Sequence, residues 1–306
     1  MSIGTLAGKV KKHGISGSAK IAFNLAAGKG KKLRNAYCRW AVRNAPRFNN
    51  PTVADMERIE SDLLAAGVTL HDYAPHVEDF AAFQAANYFP LDYHGGINGP
   101  VWDEKLLEHW VAAECLGLST YQPGDVYIDI AAGGSPWAKT LRDRLGISAF
   151  AIDLDVGPAY KRLPYYKKEN ATSTTFAEAS VQGVSLQCAF EMFMRDDDTN
   201  LLKELARILK PGGKAIVLPL YMHSHYCAFA TPEYYGKGNS DPLAKEYVCC
   251  DWNGVPSARF YDVSQLKKRV LAPIEGLGMN YRLLALRNSA SLGKNIYCYF
   301  ILEITK

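Results

Sequence analysis

The pattern of apolar and polar positions divides the chain near residue 120. Beyond it, short apolar runs alternate with amphipathic stretches. Val126–Ala131, Ser148–Leu154, Val181–Ala189 and Lys214–Leu220 read as buried strands, with a weaker one near Tyr165–Lys168. Between the first two, Trp137, Leu141 and Leu145 recur at four-residue steps. Ser135 is placed to cap that helix, Pro136 to begin it and Gly146 to end it. A second helix, capped by Asp197 or Asp198, turns Leu201, Leu202, Leu205 and Ile208 inward, and the run Lys210–Gly213 (KPGG) stops it and turns into the next strand. Ser264–Gly278 predicts a helix interrupted at Pro273, and Tyr281–Arg287 and Asn295–Ile304 predict two strands joined without a helix, hence an antiparallel pair at one edge. Strands alternating with helices predict a mostly parallel sheet with helices on both faces. Before residue 120 the signals are helical: Val53, Met56, Ile59 and Leu63 behind Pro51, then Phe80–Tyr88, then Asp103–Gly117. The loop Phe89–Trp102 is rich in Gly, Pro and aromatic residues.

Composition narrows the class. Nearly half of the 306 residues are apolar, and no run approaches the roughly 20 that span a bilayer. The seven cysteines contain no CxxC pair, which predicts reduced thiols in a cytoplasmic protein. Charge is uneven: residues 1–54 hold eleven Lys and Arg and no acid, leaving 24 basic against 31 acidic residues in the rest. No apolar core with a cleavage site marks a secretory signal, although the acid-poor composition is shared with transit peptides. The expected organisation is a basic arm (1–50), a helical region covering the ligand site (51–120) and an α/β domain (121–306) with an insertion over 221–262. The arm reads either as a solvated tail or, through residues 1–47, as a peripheral contact with anionic lipid at the inner face of a membrane.

Three features converge where the strands end, the edge at which open parallel sheets bind ligands. The first is the turn Ala131–Ser135, small enough for a ligand to approach the backbone. The second is Asp153, with Asp155, 24 residues after Asp129 and able to accept from both hydroxyls of a ribose. The third is Asn170, able to hydrogen-bond an adenine amine.

On these residues the chain from about Gly124 onward resembles a class I S-adenosylmethionine-dependent methyltransferase. DIAAGGS (Asp129–Ser135) stands for the family's D-x-G-x-G-x-G, with Gly133 kept and Ala131 and Ser135 replacing the outer glycines. AIDLD ends strand two with the expected acid, Asp153. AFEMF keeps Glu191 of the family's Glu-His pair and has Met192 for the His. LARILKPGGKAIVLPLY (Leu205–Tyr221) fits the L-x-R-x-L-K-P-G-G segment most closely. The resemblance implies a Rossmann-like seven-stranded sheet with an antiparallel terminal strand. It implies S-adenosyl-L-methionine as cofactor, held by Asp129, Ala131, Gly133, Gly134, Ser135, Asp153, Leu154, Asp155, Asn170, Ala171 and Gln187. A dehydrogenase of the G-x-G-x-x-G type fits poorly at Ala131, Gly133 and Pro136.

A sulfonium methyl is already electrophilic, so the expected catalytic aid is a base toward the acceptor. His223 and His225 after strand five, and His94 before strand one, are its candidates. Tyr221, Tyr226, Tyr235, Trp252 and Arg259 in the insertion offer aromatic faces, hydroxyls and a cation, an expected acceptor pocket suited to O-methylation of a saccharide or glycan. The alternatives are a small aromatic metabolite as acceptor, or a scaffold that binds the nucleoside without turnover. No metal is expected, since His223, His225 and an acid have no diagnostic spacing. Specific nucleic-acid methylation is not expected, since LQCAF follows strand four where such enzymes carry an N/D-P-P-Y-like tetrad.

Overall fold

A computed structural model describes residues 34–306; residues 1–33, and with them most of the basic arm, lie outside the described part. Residues 34–41 are helical, and Tyr37 and Trp40 on them are exposed. No helix among the described residues is long and apolar enough to cross a membrane.

Among the described residues, eight strands form one sheet in the order β1-β10-β11-β6-β5-β2-β3-β4. They are β1 (Leu70–Tyr73), β2 (Val126–Ile130), β3 (Ser148–Asp153), β4 (Tyr166–Lys168), β5 (Val181–Gln187), β6 (Leu209–Leu218), β10 (Asn280–Leu286) and β11 (Phe300–Thr305). Only β11 runs against its neighbours, as expected of the last strand; it pairs antiparallel with both β10 and β6. Two findings depart from the sequence reading. The pair β10–β11 is not at the edge, because β1, from a region that reads as helical, adds in parallel beside β10. Its sequence LHDY is too short and polar to announce a strand, and pairing with Leu283–Leu286 makes it one. KPGG is likewise no turn between elements. The chain passes straight from helix into β6, and the glycines form an irregularity where the β5–β6 register shifts between Val181 and Gly183.

Helices cover both faces of the sheet. On one face lie α2 (Val77–Ala85), α3 (Trp102–Leu116) and α4 (Trp137–Leu145), with Phe80, Leu107, Trp110 and Leu141 buried against Tyr127, Ala149 and Ile216. On the other lie α1 (Val53–Ala65), α5 (Asp197–Ile208) and α6 (Val263–Leu266), the last continuing through a π turn into Ala272–Gly276. Ile59, Leu63, Leu201, Leu205 and Val270 cover Ile128, Val184 and Val217 there. Successive residues of each strand go to opposite cores, the two-residue period of a sheet buried on both sides. Start and stop signals act locally. Thr52 and Asp55 form a capping box on α1, and Gly117 and Gly146 close α3 and α4 in left-handed conformations. The start of α4 falls one residue later than expected, at Trp137, while Ser135 Oγ still accepts the Trp137 amide at 3.2 Å.

The insertion folds on itself as a three-stranded sheet, β8-β7-β9, made of β7 (Cys227–Ala230), β8 (Lys245–Val248) and β9 (Ala258–Phe260). Its two ends pair with each other, the Tyr261 amide donating to Tyr221 O and the His223 amide to Tyr261 O. A buried ionic cluster ties it to α5. Asp198, with no exposed surface, accepts from Arg259, from Tyr261 Oη at 2.7 Å and from Arg269 at 2.7 and 3.0 Å. Arg269 also reaches Asp241 at 2.9 Å, and Tyr226 Oη donates to the same carboxylate at 2.9 Å. Burial pushes the Asp198 carboxyl up, but hydrogen bonds from Arg269 and the Arg259 charge hold it below its ordinary value.

Replacing one member of such a cluster leaves buried charge uncompensated. Asp198→Ala is expected to cost roughly 3–5 kcal/mol, read from denaturant unfolding. Gly213→Ala would press a Cβ against Lys210 O at 2.9 Å and Val181 O at 3.0 Å, backbone atoms that cannot turn aside. A loss of about 1–3 kcal/mol is expected in the same measurement.

Candidate cofactor and acceptor site

At the carboxyl edge of the sheet, β2 ends in a turn that crosses into α4. Ala131 and Gly133 both have positive φ, 56° and 55°, so the turn uses left-handed backbone twice, once at a residue with a Cβ. The Gly133 amide donates to Asp153 Oδ2 at 2.8 Å, tying the turn to the end of β3. A Cβ on Gly134 would meet nothing within 4 Å, so the turn leaves open room beside its backbone.

That room is part of a cavity of about 410 Å³ lined by the turn, by Asp129 below it, by Tyr93 and His94 above it, by Lys105, Glu108 and His109 of α3, and by Gln187 and Cys188 at the end of β5. Asp129 is 2% exposed, and its Oδ2 has no hydrogen-bond partner among the described residues. Burial, opposed by the Ser135 hydroxyl and reinforced by Asp153, pushes its pKa up to about 8. The cavity therefore offers a cationic group a buried acceptor without a counter-charge.

The α3 residues escape the sequence reading, which takes Asp103–Gly117 only as a helical span. Glu104, Glu108 and His109 are at most 2% exposed. Lys105 Nζ donates to both Glu108 oxygens, at 2.9 and 3.0 Å. Burial pulls the Lys105 pKa down, but the Glu108 charge overcomes it and holds the ammonium above its ordinary value. Cys188 Sγ donates to Glu108 Oε1 at 3.0 Å. His109 lies 2.9 Å from Tyr93 Oη and 3.3 Å from Gln187 Nε2, and burial drives its pKa well down, so the ring is neutral. The legible signal is the spacing: Glu104 and Glu108, and Lys105 and His109, recur at four-residue steps between apolar residues, which puts polar groups on a face the core must cover.

A second cavity, of about 310 Å³, adjoins the first. Phe48, Phe229, Phe260, Val255 and Met56 give it apolar walls, with Tyr221, Tyr297, Trp252 and Glu191 among its other sides. Cys188, which lines the first, lies 3.3 Å from Tyr221 Oη and 3.4 Å from Tyr297 Oη of the second, so these three side chains stand between the two cavities. Glu191, on the one-turn helix after β5, has an Oε2 that is buried and without a partner among the described residues. Burial raises its pKa to about 7, against the pull of its own amide and of Lys105.

The expected residues divide. Asp129, Ala131, Gly133, Gly134, Ser135, Gln187 and His94 line the first cavity. Asp153 stands behind the turn with each carboxylate oxygen already accepting one amide, Gly133 on Oδ2 and Asp155 on Oδ1 at 2.8 Å. Leu154, Asp155 and Asn170 are exposed and Ala171 is buried, all outside the first cavity's wall. Asn170 Oδ1 is taken up by an Asx turn, accepting from the Thr172 amide and hydroxyl, each at 3.0 Å. Of the expected acceptor residues, Tyr221 and Trp252 line the second cavity. Tyr226 and Arg259 spend their polar groups in the Asp198–Asp241 cluster, and Tyr235 lines neither cavity. His223 and His225 lie outside both cavities, packed on each other with ring centroids 4.4 Å apart. The sequence placed them correctly after β6, but the chain there turns away from the sheet edge into the insertion.

A family model described as a methyltransferase domain matches residues 128–217, from β2 to the end of β6. The chain carries a class I S-adenosylmethionine-dependent methyltransferase domain. Its cofactor is S-adenosylmethionine and its reaction is methyl transfer. No curated protein matches the chain. Solved structures similar to this methyltransferase include that of the Haloferax volcanii methyltransferase with its Trm112 activator, at 17% identity, covering 67% of this chain and 92% of that one with a TM-score of 0.39. A SAM-dependent methyltransferase from Methanosarcina mazei has 15% identity, 61% and 94% coverage and a TM-score of 0.39. The geranyl diphosphate C-methyltransferase of Streptomyces coelicolor, solved with Mg2+, geranyl diphosphate and S-adenosyl-L-homocysteine, has 15% identity, 76% and 97% coverage and a TM-score of 0.38.

The raised Asp129 pKa gives a test with a definite sign. At pH 7 the free protein holds a proton on this carboxyl, whose pKa is about 8. An ammonium bound beside it favours the ionised form, so cofactor binding is expected to release a proton at pH 7 and to tighten as pH rises through about 8. Calorimetry in buffers of different ionisation enthalpy counts that proton. In Asp129→Asn the release should vanish and affinity fall by roughly tenfold to a hundredfold, the loss of one charge-assisted hydrogen bond.

Proposed function

We propose that this methyltransferase acts on a flat, largely apolar small molecule bearing an acidic O–H or N–H, seated in the aromatic cavity with its reactive atom toward Cys188. The observation that carries this reading is the junction itself: a glycine-turn cavity and an aromatic cavity share the wall Cys188–Tyr221–Tyr297, and Glu191 stands in the second with a carboxylate oxygen unpartnered.

The first cavity fits the cofactor chemically. Its amino-acid ammonium would take the unpartnered Asp129 oxygen, the open backbone at Gly133–Gly134 would admit its sugar, and Asp153 retains lone pairs for ribose hydroxyls beyond the two amides it accepts. When bound it supplies a methyl group on positively charged sulfur. The protein's own part is to hold the acceptor in line and remove its proton. Glu191 suits that second task better than the three histidines: it lines the acceptor cavity, and its pKa of about 7 lies at the working pH. His94 lies on the cofactor side, and His223 and His225 are outside.

The expected glycan acceptor gains less support than the small aromatic one. A sugar ring needs many polar partners, and this cavity presents mainly aromatic, Met and Val side chains, with Asn50 and the two carboxyls Glu191 and Asp251 among them. A scaffold without turnover is the reading left if no acceptor works.

The experiment is formation of S-adenosylhomocysteine with a panel of aromatic phenols and amines, run beside free glycans. Turnover with the aromatic set supports the proposal; turnover with glycans alone overturns it. With a productive acceptor, Glu191→Gln is expected to lower kcat by roughly 10²- to 10⁴-fold with cofactor affinity unchanged. Because the base acts ionised, the wild-type rate should fall as pH drops through about 7, and that limb should be missing in the variant.

A further inference from the structure

Away from both cavities, the described residues hold one cluster of ligating side chains. His223, His225 and Cys227 follow at two-residue steps where the chain enters the inserted sheet, and one ligating atom from each lies within 4.8 Å of the others. The two imidazoles are part-buried and Cys227 has no exposed surface. Around them stand groups that orient rings. The Ser224 hydroxyl is 3.2 Å from His223 Nδ1 and 3.4 Å from His225 Nδ1, and Tyr247 Oη is 2.8 Å from His225 Nε2.

We propose that His223, His225 and Cys227 bind one divalent cation of the zinc class. Two imidazoles and a thiolate are the donor set such a borderline-soft ion selects, at about 2.0–2.3 Å from each atom. Reaching that geometry requires the ligands to close by roughly 1 Å, within side-chain rotation. Cys227 gives up its thiol proton to solvent on binding, water fills the fourth position, and Ser224 and Tyr247 become the outer contacts that fix ring orientation. The ion would tie the entry of the insertion to β7. Phe48, 6.2 Å from His223 and 4.8 and 4.7 Å from Phe229 and Phe260, carries that rigidity to the wall of the aromatic cavity. The site does not depend on the acceptor proposed above.

The full chain, freed of any polyhistidine tag and stripped with chelator, is titrated with Zn2+ and with Co2+. The expected result is one equivalent per chain, a thiolate-to-cobalt charge-transfer band, and a rise in Tm with zinc. Cys227→Ser should abolish the band and weaken zinc at least tenfold, and His225→Ala should weaken it similarly. Cys115→Ser, a thiol beside Tyr73 and Lys214 on another part of the sheet, should leave both unchanged. Should Cys227→Ser fail to fold, His223→Ala carries the test, its fold checked by circular dichroism and cofactor binding. Absence of stoichiometric zinc in the wild type, or zinc binding that survives both Cys227→Ser and His225→Ala, would overturn the site.

Discussion

The aromatic cavity of this enzyme depends on one buried carboxylate. Asp198, on the first turn of α5, meets Arg259 from the insertion and Arg269 from the helix that follows it. A charge with no exposed surface must be paired, and these two guanidiniums are its only ionic partners among the described residues. The insertion therefore has one seat on the core. From that seat β7 and β9 present Phe229 and Phe260 to the second cavity, and the returning chain places Tyr221 beside Cys188. The cluster is a constraint on position more than a source of stability, since apolar packing of similar volume could hold the same surfaces.

The glycine-turn cavity follows from a different constraint. Parallel strands deliver all their carboxyl ends to one edge, and β2 and β5 end next to each other there. A turn that must leave β2 and enter α4 within a few residues uses left-handed backbone at Ala131 and Gly133 and bares its amides, one of which Asp153 takes. Helix α3 then closes the space with a polar side. Lys105, Glu108 and His109 are buried against the ends of β2 and β5, so the floor of the cavity is charged and its rim aromatic. Two carboxyls within this region have their pKa raised by burial, Asp129 to about 8 and Glu191 to about 7, one on each side of the junction. Paired titratable groups with separate surroundings are what proton-handling sites are made of.

Local chemistry made much of the fold legible. The period of two in β2, β3, β5 and β6, the period near four in α4 and α5, and the stops at Gly117 and Gly146 are written within a few residues of where they act. So is the glycine turn, because only small residues tolerate that backbone beside a ligand, and with it Asp129, Gly133, Gly134 and Ser135 in the cavity wall. What local signals missed is what pairing over long distances decides. Strand β1 exists because Leu70–Tyr73 finds β10 more than 200 residues later, and KPGG is an irregularity within a strand because β5 lies alongside it.

For the site itself, the sequence alone determined the small-residue turn after β2 and the insertion that follows β6. It could not determine which side chains face the two cavities. Arg259 and Tyr226 carry the chemistry of an acceptor pocket, yet Asp198 and Asp241 claim them. Glu108 and His109 look like ordinary surface residues in a chain, yet packing buries them beside the first cavity. The physical reason is that a side chain's type fixes what it can bond, while its partners are chosen by whatever the fold brings within about 3 Å, and that choice is made between residues far apart in the chain.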